Sequence, residues 1–217
     1  MPLLIEFFSI PGGGKTTLAS SLARQSGLKT RTDLSAAWNT QGSLSKLGHI
    51  LGSYLDMRCN AAAVQFARRA KLGNADSIFR LTRLLAKRKW VATQPDPLLF
   101  DQGFLQDLWS ILYSAGQSRP DPRALSGLVA RLYEGMQPRI IFLEVDPQCA
   151  AQRIANRKHG DSRLDGLPQQ ELGERLVTGA AIVKALCLAA ETAGLQVTRI
   201  DGSLPREVLV KSIALSW

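Results

Sequence analysis

The chain has 217 residues and a net charge of +9, with 45% hydrophobic and 21% charged residues. That length holds one α/β domain with a sizeable core, and the composition excludes a disordered or fibrous protein. No apolar run is long enough for a bilayer span, the N-terminus reaches Glu6 without the basic flank of a secretory signal, and Cys59, Cys149 and Cys187 form no CxxC pair. A protein without membrane segment, disulfide framework or zinc site, in a reducing cytoplasm, is expected.

Residues 3–8, Leu-Leu-Ile-Glu-Phe-Phe, form a short apolar run that ends in a glycine-rich turn. They predict a buried parallel strand. Residues 16–25 carry a helical pattern closed by Gly27, the residue type that ends helices in the left-handed conformation. A second strand is expected over 28–33. Residues 44–90 read as helical, broken near Cys59-Asn60 and at Gly73-Asn74. Residues 97–101 predict a third strand, and 104–114 and 122–134 two helices.

The run over 139–146 is the clearest strand after the first, and Pro147 opens the helix that follows it. Residues 158–168 are polar and contain Gly160 and Gly166, which predicts a mobile loop. A long alanine-rich helix over 169–193 ends at Gly194, and a fifth strand over 195–201 and a helix over 205–215 complete the chain. Strands alternating with helices predict a parallel sheet covered on both faces. No repeat or domain linker interrupts the pattern.

Ser9-Ile-Pro-Gly-Gly-Gly-Lys-Thr-Thr17 stands between the first strand and the first helix, the context in which a phosphate-binding loop works. Backbone N–H groups must converge on an anion there, so Pro11, Gly12, Gly13 and Gly14 supply a turn that side chains would obstruct. The helix start at Lys15, Thr16 and Thr17 adds its positive end. Lys15 can reach the β- and γ-phosphates of ATP, and the Thr16 hydroxyl can hold Mg²⁺. Ser9 stands where GxxxxGK[ST] has its first glycine.

Asp101 ends the third strand, at the sheet edge where open parallel sheets bind ligands. It can hold Mg²⁺ or take a proton from an attacking hydroxyl. Asp33 ends the second strand at the same edge, and it can orient an acceptor or serve as the base in place of Asp101. Asp146, before Pro147, suits a helix cap. Arg153 and Arg157 share a helix face, and with Arg163 they form a cationic lid over residues 153–168 that can close on a transferring phosphoryl group.

Between Arg58 and Lys89 the chain has nine basic residues and one acid, Asp76. On the helix after Ala75, Arg80, Arg83 and Lys87 share one face, opposite Ile78, Leu81 and Leu85. Such a row suits an anionic acceptor, and Asp76 can pair with Arg80. Few aromatics are interleaved with these charges, so nucleic acid is not the expected partner.

Together these residues resemble the nucleoside and nucleotide kinase group of P-loop proteins, thymidylate-kinase-like proteins especially. The resemblance rests on residues 9–17, on Asp101-Gln-Gly103, and on Phe142-Leu-Glu-Val-Asp-Pro147 with Arg153, Arg157 and Ser162-Arg163-Leu-Asp165. It implies a three-layer α/β/α P-loop NTPase fold with a five-stranded parallel sheet. It also implies ATP and Mg²⁺, an acceptor arm over about 35–95 and an arginine lid within one domain of residues 1–217. A homodimer is among the assemblies open to it. Thymidylate kinases have Asp-Arg-Tyr or a close variant where this chain has Asp101-Gln-Gly103. The arginine for an acceptor phosphate is absent from its usual place, which opens the alternative of a non-nucleotide small molecule such as a sugar, an antibiotic or a pathway intermediate. The other alternative is a nucleic-acid-binding or regulatory NTPase, although no Asn-Lys-x-Asp base-reading motif is present.

Overall fold

The structure, a computed structural model, describes residues 3–30, 48, 51–156, 164 and 166–215. Its elements are β1 (Leu3–Phe8), α1 (Lys15–Ser26), β2 (Lys29–Thr30), α2 (Met57–Arg69), α3 (Ala75–Val91), β3 (Leu98–Phe100), α4 (Phe104–Ser114), α5 (Pro122–Leu132), β4 (Gln137–Glu144), α6 (Pro147–Ala155), α7 (Gln169–Thr192), β5 (Gln196–Asp201) and α8 (Arg206–Leu215). The five strands form one sheet in the order β2-β3-β1-β4-β5. Every pairing is parallel, with Ile5 opposite Leu99 on one side and Arg139 on the other.

The two faces of β1 explain its near-continuous hydrophobicity. Leu4 and Phe8 join Leu98, Phe100, Ile140 and Phe142 in a core shared with residues of α2 to α7. Ile5 and Phe7 point the other way, to Leu99, Ile141 and Leu143, and meet Leu18 and Leu22 of α1 and Leu209 and Ile213 of α8. A strand buried on both faces cannot alternate polar and apolar residues. The result is the expected α/β/α three-layer fold, consistent with a P-loop NTPase.

The chain leaves β1 toward β2 on one side of the sheet and leaves β4 toward β5 on the other. Diverging connections open a crevice at the C-terminal ends of β1 and β4. The glycine-rich loop after β1 lies at that crevice.

Two local expectations are corrected. The helix does not break at Cys59-Asn60. Asp56 caps α2 by accepting the Cys59 N–H at 3.1 Å, and the Asn60 amide donates back to Ser53 O (3.0 Å) and Tyr54 O (2.8 Å), so the interruption precedes Met57. The break at Asn74 stands, since its side chain accepts from Ser77 N at 2.6 Å. The buried stripe of α3 is also turned from the expected one. Leu81 is buried, but Ile78 is 44% exposed and Leu85 half-buried, while Ser77, Leu84, Arg88 and Val91 face inward.

Candidate functional site

The loop between β1 and α1 is shaped by contacts that forbid side chains. Gly12 (φ +82°) and Gly14 (φ +85°) adopt left-handed backbone, which costs other residues about 1–2 kcal/mol. A Cβ on Gly12 would stand 2.6 Å from Ala150 O of α6, and one on Gly13 would stand 2.2 Å from the Ser9 hydroxyl. Ser9 occupies the first-glycine position by turning inward: its Oγ donates to Leu143 O at 2.8 Å and ties the loop to β4. Pro11 is half-buried at the turn.

Lys15 is only 8% exposed. Its Nζ donates to Ser9 O and Ile10 O, both at 3.0 Å, so the ammonium curls over its own loop. Thr16 and Thr17 are exposed in the first turn of α1. The Thr16 hydroxyl donates to Asp101 Oδ2 at 2.8 Å across 85 residues of sequence. The two residues read as metal-holding are thus adjacent at the mouth of the loop. Both offer hard oxygen donors of the kind Mg²⁺ prefers. No group of three or more His, Cys, Asp or Glu placed to hold a metal occurs among the described residues.

Asp101 sits on a loop that is held from behind by a residue the sequence reading passed over. Glu6, in the middle of β1, is 0% exposed. Its Oε2 accepts from Phe104 N (2.9 Å) and the Tyr133 hydroxyl (2.6 Å), and its Oε1 from Leu105 N (2.8 Å). These are the first N–H groups of α4, whose N-cap Gly103 has no capping side chain. Burial pushes the Glu6 carboxyl up to about 7, opposed by the Tyr133 hydrogen bond, the Lys87 charge and the two N–H groups. Burial and the adjacent Glu6 raise Tyr133 well above the usual tyrosine range. The signal in the sequence was a lone acid inside a six-residue apolar strand.

The arm residues are mostly engaged. Lys87 donates to Gln102 O (3.0 Å) and Asp107 Oδ2 (2.7 Å), and it lies over the rings of Phe100 and Phe104. Arg80 pairs with Asp76 as expected (2.7 Å) and reaches Ser110 Oγ at 3.3 Å. Arg83 is exposed and lies over the Phe79 ring at 5.9 Å; it makes no ion pair among the described residues. Arg88, part of the same basic run, is buried, paired with Asp56 and donating to Arg131 O at 3.0 Å.

Of the residues expected to form a lid, Arg153 donates to Gly202 O at 2.9 Å. Arg157, Arg163 and the alternative base Asp33 lie outside the described residues. Asp146 caps α6, accepting from Gln148 N and Cys149 N. No helix among the described residues is long and apolar enough to cross a membrane.

No protein-family model and no curated protein matches the chain. Solved structures do. The chain is similar to deoxyadenosine kinase from M. mycoides with bound dATP (TM-score 0.55, 15% identity, 99% of this chain and 98% of that one). It is also similar to that kinase with bound dCTP (TM-score 0.53, 14% identity, 99% and 98%) and with products dCMP and a flexible dCDP (TM-score 0.54, 14% identity, 99% and 97%). At such identity the similarity speaks to the fold. The fold is similar to that of this kinase over nearly the whole chain, a deoxynucleoside-kinase-like fold and not a specifically thymidylate-kinase-like one.

Proposed function

We propose that the chain is a phosphotransferase that moves the γ-phosphoryl group of ATP to a nucleoside or nucleotide, acting as a single domain with an arm over about 35–95 and a lid over about 153–168. The observation that carries this reading is the 2.8 Å contact between Thr16 and Asp101 beside a glycine loop covered by Lys15. In this reading Lys15 exchanges two neutral carbonyl partners for anionic phosphate oxygens, which bind a cation more strongly. Loop N–H groups and the α1 N-terminus receive the β-phosphate. Thr16 and Asp101 would hold Mg²⁺, whose charge offsets that of the β- and γ-phosphates.

The acceptor hydroxyl attacks the γ-phosphorus, its proton passes to Asp101 or Asp33, and the bond to the β-bridging oxygen breaks to release ADP. Arg153, with Arg157 and Arg163, supplies positive charge over the moving group. Arg80, Arg83 and Lys87 line the acceptor side. Gln102 in place of an arginine argues against thymidylate as the preferred acceptor.

ADP release with ATP and Mg²⁺ over a panel of nucleosides, nucleoside monophosphates, sugars and aminoglycosides tests the reading. Turnover with nucleosides or their monophosphates is expected. Turnover confined to sugars or aminoglycosides would keep the transfer and replace the acceptor class. ADP release stimulated only by oligonucleotides would overturn the small-molecule reading.

A further inference from the structure

Glu6 is a charged residue at the centre of a sheet, and nothing in the phosphoryl transfer itself uses it. A cap on α4 needs only a serine or aspartate at position 103. The chain instead places glycine there and brings a carboxylate from a strand 98 residues away in sequence. The fit is close: a Cβ on Gly103 would stand 2.1 Å from Glu6 Cδ. The Asp101-Gln102-Gly103 loop is therefore fixed at its far end by Glu6 and at its middle by Lys87, which donates to Gln102 O. Its near end presents Asp101 Oδ2 to Thr16.

We propose that Glu6 is a positioning residue for Asp101: the buried carboxylate, gripping the start of α4, sets the separation of the Asp101 and Thr16 oxygens that hold the metal–nucleotide complex. This deepens the phosphotransferase reading and rests on it for the role of Asp101.

The ionised form is the one that does this. Three donors converge on the two oxygens, and two of them belong to the positive end of a helix. Adding a proton turns one acceptor into a donor that faces N–H or O–H groups. The charged and titratable groups around Glu6 are Lys87 from α3, Tyr133 after α5, and Asp107 on α4, already paired with Lys87. From the neighbouring strands it meets Phe100 and Ile140, which carry no charge. Burial pushes the Glu6 carboxyl up to about 7, so the proposal places the loss of the grip on mild acidification.

The test is equilibrium binding of mant-ADP to the purified chain, with Mg²⁺ varied at a series of pH values, for wild type, Glu6→Gln and Tyr133→Phe. Wild type is expected to lose Mg²⁺-dependent affinity on acidification with a midpoint near the Glu6 value. Glu6→Gln should raise the Mg²⁺ half-saturation about tenfold at high pH, as loss of a charge-assisted contact does, and should erase the pH step, while metal-free mant-ADP affinity stays the same. Tyr133→Phe removes a donor that favours the ionised form, so the midpoint should move to higher pH while the high-pH plateau is kept. That variant retains the charge and both N–H bonds, so it reads the proposal even where Glu6→Gln folds poorly.

An unchanged midpoint in Tyr133→Phe, or a folded Glu6→Gln with wild-type Mg²⁺ half-saturation and pH step, overturns the proposal. A chain that binds mant-ADP in this way but releases no ADP with any acceptor would sink the kinase reading and leave the Glu6 assignment standing.

Discussion

The phosphate-loop end of the molecule and its basic arm differ in how they spend charge. The loop end has few charged residues, and each is aimed. Lys15 curls over its loop, Asp101 faces Thr16, and Glu6 grips α4 from inside the sheet. The arm has many charges, and three of its nine basic residues are in ion pairs: Arg80 with Asp76, Lys87 with Asp107, Arg88 with Asp56. It also exposes Leu55, Met57, Val64 and Phe79, the last at 61%. What matters for binding is which charges remain uncommitted after folding; among the described arm residues Arg58, Arg68, Arg69, Lys71, Arg83 and Lys89 make no ion pair, and of the row read as facing the acceptor only Arg83 does not.

Four measurements probe that contrast. The largest effect is expected at Lys15. No backbone group replaces its charge, so Lys15→Ala should lower the transfer rate by about 100- to 1000-fold and weaken ATP binding; rates within about threefold of wild type would break the comparison at its strongest point. Next comes the cost of burying Glu6. Its carboxyl ionises near 4.5 in the unfolded chain and near 7 in the fold. The native state therefore holds the extra proton between those values, and stability contributed by this group is present below 4.5 and lost as pH rises through 7. Relative to Glu6→Gln, wild type should gain about 3 kcal/mol in urea unfolding between pH 8 and pH 4.5. A gap independent of pH would mean that Glu6 carries no such proton. The expected behaviour opposes function, since mild acid stabilises the fold while loosening the Asp101 loop.

Asp101→Asn should slow transfer by at least about 100-fold and raise the Mg²⁺ half-saturation, with little change in the metal-free Kd for ATP. An unchanged rate would move the base to Asp33. The smallest effects belong to the arm. Arg83→Ala should raise the acceptor KM by roughly tenfold with kcat and the KM for ATP unchanged, as loss of one charge-assisted hydrogen bond predicts. Arg80→Ala should act in the same direction more weakly, its guanidinium being shared with Asp76. Lys87→Ala should also lower kcat, because it releases Gln102 and Asp107. If all three variants alter only oligonucleotide binding, with a steep salt dependence, the arm is not an acceptor site.

How much of this was readable in the sequence follows from the range of the interactions. The alternation of strands and helices, the glycine spacing, the cap at Asp146 and the helix break at Asn74 are local, and they appear where the pattern puts them. Thr16 and Asp101 were each legible as possible Mg²⁺ holders at one sheet edge, and the hydrogen bond between them is a finding of the structure. The start of α2 was not, because Asp56 caps it without any preceding break in hydrophobic pattern. The turn of the α3 stripe was not, because a buried Arg88 held by Asp56 and by carbonyls at the end of α5 reads in sequence as one more surface cation. Glu6 was visible as an anomaly in an apolar strand, but its partners at 104, 105 and 133 could not be assigned by spacing.

The inward turn of Ser9 ties two positions of the phosphate loop into one evolutionary unit. Its hydroxyl fills the space into which a side chain at 13 would grow, so the order of substitutions matters along any path by which this loop diversifies. An alanine at 13 is unfavourable while Ser9 remains; a glycine at 9 would remove the two closest contacts, at 2.2 and 2.7 Å, and leave Ile10 O at 3.0 Å. A lineage that keeps serine at the head of the loop is thereby confined to glycine four residues later, whereas one that starts from glycine meets a single close backbone contact there.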